Sequence, residues 1–156
     1  MTIKNGDKAP TFVLRASDLS EISLTDFNNK NVVILFFPLA FTGVCTAELC
    51  SMRDDIATYE GLNAEILAIS VDSPFVLAKF KEEQKLNFTL LSDFNKEVSR
   101  AYGALYEDFV LGLKEVSKRA AFVLDKNGVI RYAEVLENAQ NLPTFSAVKE
   151  TLDQLN

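Results

Sequence analysis

Histidine and tryptophan are absent from this 156-residue chain, and cysteine and methionine occur only twice each. Without histidine there is no Cys–His nucleophile pair and no imidazole-ligated metal. A zinc shell would have two thiolates at most and would need carboxylates or a second subunit, so such a site is poorly supported. Basic residues are outnumbered: 16 Lys and Arg against 22 Asp and Glu give a net charge of −6. That balance argues against nucleic acid and anionic membranes as partners, since both call for a basic patch. No apolar run approaches the roughly 18 residues of a membrane span, and no apolar leader follows Met1. The expected location is the cytoplasm, where a cysteine pair is more often catalytic or inert than a structural staple. Glycine and proline are too sparse to form a linker, and no repeat or low-complexity tract breaks the chain. Residues 1–156 therefore read as one domain, long enough to bury about 70% of its unfolded surface.

Strong patterning fills the remainder. Residues 32–37 (VVILFF) form an unalternating β-branched and aromatic run, expected of a strand buried on both faces. Residues 64–71 and 120–124 read as further strands, and 129–135 as a hairpin partner returning through the turn at 125–128. Cys45, Leu49, Met52, Ile56 and Tyr59 step by four and three, predicting one helix with a single apolar stripe. Ser73 followed by Pro74 predicts a capped helix to about Lys85. Phe145, Val148, Leu152 and Leu155 mark a last helix, reached through Pro143. The expected class is α/β, a mixed central sheet with helices on both faces. Phe36, Phe37 and Phe122 belong to its core.

Both cysteines fall where the first strand gives way to a helix, in FFPLAFTGVCTAELC over residues 36–50. In the first helical turn Cys45 faces unpaired backbone N–H groups and the positive end of the macrodipole, which favour thiolate over thiol. Taken alone, Cys45 is as well read as a small buried hydrophobe on the stripe of Leu49 and Met52, and Thr42 as the helix N-cap. Arg119, among Lys114, Glu115 and Lys118, reads as a solvated charge. Arg53 reads as a surface partner of Asp54 or Glu60. On an ideal helix, residues five apart have Cα atoms about 8.6 Å apart, beyond the roughly 7 Å a disulfide tolerates. A Cys45–Cys50 bond therefore requires that turn to unwind.

Pro38, Thr42 and Cys45 match the Pro-x-x-x-Thr-x-x-Cys signature of peroxiredoxins, with Glu48 where many members carry an acid. The segment resembles the AhpE-like branch of the alkyl hydroperoxide reductase/thiol-specific antioxidant family. Likeness extends to residues 6–10 (GDKAP), 91–94 (LSDF), 101–103 (AYG) and Arg119 ahead of its strand. The resemblance implies a thioredoxin-like fold and a thiol-dependent peroxidase for hydrogen peroxide and organic hydroperoxides, with no cofactor and no metal. In that scheme Cys45 becomes a sulfenic acid, and Arg119 favours its thiolate by charge. Thr42 contacts the thiolate or aligns the peroxide, Pro38 shields the sulfur, and Glu48 orients an arginine or the Thr42 hydroxyl. Cys50 stands at the spacing of a same-helix resolving cysteine, while the family's C-terminal Val-Cys-Pro motif is absent. The reductant is then Cys50 followed by thioredoxin or a glutaredoxin-like protein, or an external low-molecular-weight thiol acting directly. A homodimer is implied, with Phe41 and residues 109–111 as contacts; Phe41 reads equally well as a collar for lipid-like hydroperoxides or as plain packing. Two other readings stand beside this one. A thioredoxin-type disulfide oxidoreductase wants Cys-x-x-Cys, whereas this chain has four residues between its cysteines. A non-enzymatic redox sensor or chaperone-like module would be oxidised once and not turn over.

Overall fold

Residues 3–156 are described by a computed structural model of the chain. In chain order its elements are β1 (Val13–Ala16), β2 (Glu21–Ser23), β3 (Asn31–Phe36), α1 (Gly43–Asp54), α2 (Ile56–Gly61), β4 (Ala64–Ser70), α3 (Pro74–Gln84), β5 (Thr89–Ser92), α4 (Glu97–Ala101), β6 (Arg119–Leu124), β7 (Ile130–Leu136) and α5 (Phe145–Leu155). The strands form one seven-stranded sheet in the order β2-β1-β5-β4-β3-β6-β7. β3, β4 and β5 run parallel, and the other neighbours pair antiparallel. The mixed sheet is the one expected.

Every residue of β3 is buried, which is why its sequence does not alternate: both faces of this strand meet apolar layers. Val33, Leu35 and Phe37 pack with Leu49, Met52, Tyr59, Leu77, Phe80, Val148 and Leu152, so α1, α2, α3 and α5 cover one face. Val32, Ile34 and Phe36 pack on the other face with Phe12, Leu24, Val98 and Tyr102, from the N-terminal segment and α4. The 125–128 turn closes as expected. Asp125 Oδ1 accepts from the N–H groups of Asn127 and Val129 at 2.8 and 3.0 Å, and Gly128 adopts a φ of +77°. Ser73 caps α3 by accepting from Val76 N at 3.2 Å.

One expectation needs correction. The stripe from Cys45 to Tyr59 is carried by two helices, because the chain breaks at Asp55, whose φ and ψ are −109° and 12°. The Asp55 carboxylate accepts from Thr58 Oγ1 at 2.7 Å and pairs with Lys149. Aspartate competes with helical hydrogen bonding in this local way. The apolar side chains of both segments still enter the same core, so the break leaves the periodicity visible.

Candidate active site

β3 delivers the chain to the site. Beyond Phe36 it leaves the sheet through buried Phe37 and Pro38, at the carboxyl ends of the parallel strands, where α/β sheets place their ligand sites. The loop is pinned at Ala40, whose N–H donates to Asp72 Oδ2 at 2.8 Å. Asp72 is itself held by Ser70 Oγ at 2.7 Å and, through its carbonyl, by Ser92 Oγ at 2.6 Å. Phe41 takes a φ of +66°, unusual for a bulky side chain, and packs edge-on against Phe80 with ring centroids 5.0 Å apart. Thr42 occupies the N-cap position of α1, yet its hydroxyl makes no cap bond. It donates instead to the Leu39 carbonyl at 2.7 Å. Neither the expected cap nor a hydroxyl donation to the thiolate is formed, because the tight turn before α1 brings a closer acceptor. Cys45 is the third residue of the helix and is buried.

Arg119 reaches the same place from β6. Antiparallel pairing sets Ala120 opposite Phe36, so the residue before Ala120 lies where β3 releases the chain. Its guanidinium makes three contacts. Nη2 donates to Cys45 Sγ at 3.2 Å, Nη1 to Glu48 Oε1 at 2.6 Å, and Nε to the Ala139 carbonyl at 3.0 Å. Arg119 is 2% exposed and Glu48 0%. Burial of a charge at this depth is tolerated only with partners on every side. Burial pulls the guanidinium toward losing its proton, but the attraction of Glu48 and Cys45 outweighs this and holds it firmly charged. Burial pushes the Glu48 carboxyl up to about 7, with Arg119 opposing that rise. Glu48 Oε2 has no hydrogen-bond partner.

The sulfur and guanidinium lie at the bottom of a cleft of about 840 Å³, with an apolar wall of Leu39, Val44, Phe109 and Val110 and with Pro38 and Thr42 also on its lining. The segment after β7 forms the opposite rim. Tyr106 donates its hydroxyl to the Glu137 carbonyl at 2.6 Å, and Lys118 pairs with the Glu137 carboxylate at 2.7 Å.

The structure thus gathers Pro38, Thr42, Cys45 and Arg119 around one cleft, with Glu48 buried behind Arg119. Cys50 stays apart, half-buried on the flank of α1, with its Sγ 3.5 Å from Gln84 Oε1. Both cysteines are free thiols. Arg53 turns away from the cleft and pairs with Asp54 at 2.9 Å, one of the two partners expected for it. Residues that sequence reasoning missed are Tyr106, Lys118, Glu137 and Ala139. The last acts through its backbone, which no side-chain pattern announces.

Among the described residues no helix is long and apolar enough to cross a membrane. Residues 5–133 match the family model described as AhpC/TSA family. Peroxiredoxin Bcp of Escherichia coli is 36% identical over 131 residues, covering 83% of this chain and 84% of that protein. The mitochondrial thioredoxin-dependent peroxide reductase of Bos taurus is 39% identical over 144 residues, 88% of this chain and 52% of that protein. Among solved structures, a peroxiredoxin-like protein from Aquifex aeolicus superposes with a TM-score of 0.90 at 27% identity, covering 100% of this chain and 90% of that one. Peroxidoxin BcpB from Mycobacterium tuberculosis gives 0.87 at 27% identity, covering 99% of each chain. A Thr-x-x-Cys helix start facing a buried arginine, on a fold shared with these proteins and in a sequence this close to theirs, has one explanation: the chain belongs to the AhpC/TSA family, the peroxiredoxins.

Proposed function

We propose that this protein is a thiol-dependent peroxidase that reduces hydrogen peroxide and organic hydroperoxides at Cys45. The observation that carries the reading is the 3.2 Å approach of Arg119 Nη2 to Cys45 Sγ at the bottom of an open cleft. A permanent charge at that distance, with the α1 N-terminus beside it, attracts the negative charge carried by the reacting atoms. The thiolate attacks the terminal peroxide oxygen, the S–O bond forms and the O–O bond breaks. Cys45 becomes a sulfenic acid, and the departing hydroxide or alkoxide takes up a proton to leave as water or alcohol.

The surrounding residues divide the work. Arg119 stabilises negative charge as it moves onto the peroxide oxygens, and Glu48 holds the guanidinium in line. The Thr42 hydroxyl spends its proton on Leu39, so its oxygen is left to accept from the peroxide O–H. Pro38 brings no N–H to compete and keeps water from the sulfur.

The sulfenic acid is reduced by a thiol. Either Cys50 attacks after α1 unwinds and the resulting disulfide passes to a thioredoxin or glutaredoxin-like protein, or a low-molecular-weight thiol acts directly. Leu111 is 93% exposed, Val110 61% and Phe41 47%. Apolar side chains standing out beside the cleft support a homodimer that covers them. Two free thiols fit a reducing compartment, in keeping with a cytoplasmic protein, and the single continuous sheet supports one domain. Peroxide consumption by the purified protein with an added dithiol tests the activity: sustained turnover is expected, and oxidation that stops after one equivalent would mark a sensor.

A further inference from the structure

The C-terminal half of α1 is tied to the end of α3 by contacts outside the cleft. Arg53 Nη1 donates to the Gln84 carbonyl at 2.6 Å. The Asn87 side-chain amide donates to the Arg53 carbonyl at 3.3 Å, and Cys50 lies 3.5 Å from Gln84 Oε1. Gln84 is the last residue of α3, and the next, Lys85, turns left-handed with a φ of +53°. Its carbonyl is therefore among those the helix leaves unpartnered, and the guanidinium sits on the negative end of the α3 dipole. Arg53 of α1, Gln84 at the end of α3 and Asn87 in the loop that follows form a clasp around the turn that carries Cys50.

On the reading that Cys50 resolves the sulfenic acid, α1 must unwind before the two sulfurs meet, and this clasp opposes it. We propose that Arg53, Gln84 and Asn87 are positioning residues that hold Cys50 against α3, and that opening their clasp admits Cys50 to oxidised Cys45. When it opens, the Cys50 sulfur attacks the Cys45 sulfur. The S–S bond forms, the S–O bond breaks, and the thiol proton leaves with the hydroxide as water. While it stays closed, a second peroxide converts the sulfenic to sulfinic acid and departs as water or alcohol. The clasp thus sets how the oxidised enzyme divides between disulfide and over-oxidation.

Arg53→Ala and Gln84→Ala test this, with Cys50→Ser as control. In reduced Arg53→Ala, α1 amides should exchange with solvent about tenfold faster, the loss expected of one charge-assisted hydrogen bond that resists local opening. Disulfide formation should accelerate by a similar factor, and over-oxidation should require more peroxide. Gln84→Ala, which keeps the backbone carbonyl and loses only the contact to Cys50, should shift both in the same direction by less; it carries the test should Arg53→Ala not fold. Amide exchange and disulfide rates equal to wild type in both variants overturn the clasp. A wild-type protein that forms no disulfide overturns the resolving reading instead, and Cys50→Ser shows which has failed. In that variant the effect of Arg53→Ala on α1 exchange persists if the clasp is real.

Discussion

Arg119 Nη1 lies 2.6 Å from Glu48 Oε1, and both side chains are withdrawn from water. The positive charge presented to Cys45 is therefore fixed from behind by a carboxyl group on the same helix as the sulfur, one turn further on. Sulfur, guanidinium and carboxyl form a chain in which each group depends on the next.

Glu48 should make stability depend on pH with an unusual sign. Burial raises its carboxyl from 4.5 to about 7, so between those values the folded state holds a proton that the unfolded state has lost. Its contribution is fully present below about pH 4.5 and lost as pH rises through about 7. Urea unfolding across that range should show a decline in wild type that Glu48→Gln flattens. Parallel profiles for the two proteins would contradict the assignment.

Arg119→Ala should slow the reaction of Cys45 with peroxide by about 10²-fold, the order found when one donor to developing negative charge is removed. It should also destabilise the fold by about 3 kcal/mol or more, because Glu48 is left buried and unpaired. Combining it with Glu48→Gln should restore much of the stability and none of the rate. Stopped-flow kinetics and denaturation on the single and double variants separate the two effects. Lysine at 119 should rescue poorly, since a point charge cannot make three divergent contacts.

Thr42 is predicted to matter through its oxygen. Thr42→Val removes both the bond to Leu39 and the acceptor facing the cleft, and should cost about 1 kcal/mol or more of activation free energy. Thr42→Ser should retain most of the rate. Equal rates for valine and serine would assign Thr42 a packing role.

Homodimer formation should depend on Leu111, whose side chain is almost wholly exposed. Light scattering should give twice the 17.4 kDa chain mass, and Leu111→Glu should reduce it to one. A monomer in wild type would remove the interface from the account.

Much of this arrangement was legible in the sequence because it rests on patterns that strands and helices enforce. The unalternating run of β3 announced a central strand, and the Ser73–Pro74 pair announced the start of α3. β1, β2 and β5 escaped notice because they are three or four residues long, too short for periodicity to speak. The break at Asp55 was hidden by apolar side chains that keep their spacing across it. At the site, Cys45 was marked by its place at a helix start, but Arg119 stood out only by resemblance to a family. Charge alone does not distinguish a buried arginine from its solvated neighbour Lys114. Its link to Ala139 depends on how the chain after β7 folds back, which is a tertiary fact.

The central claim is that Cys45 is the atom that attacks peroxide. Mass spectrometry after one equivalent of peroxide, on wild type and on Cys45→Ser, tests it most directly. Wild type should become heavier by one oxygen, as a sulfenic acid, or lighter by two hydrogens, as a Cys45–Cys50 disulfide, while Cys45→Ser remains unchanged and inactive. Oxidation of Cys50 in the Cys45→Ser protein at the wild-type rate would contradict the account.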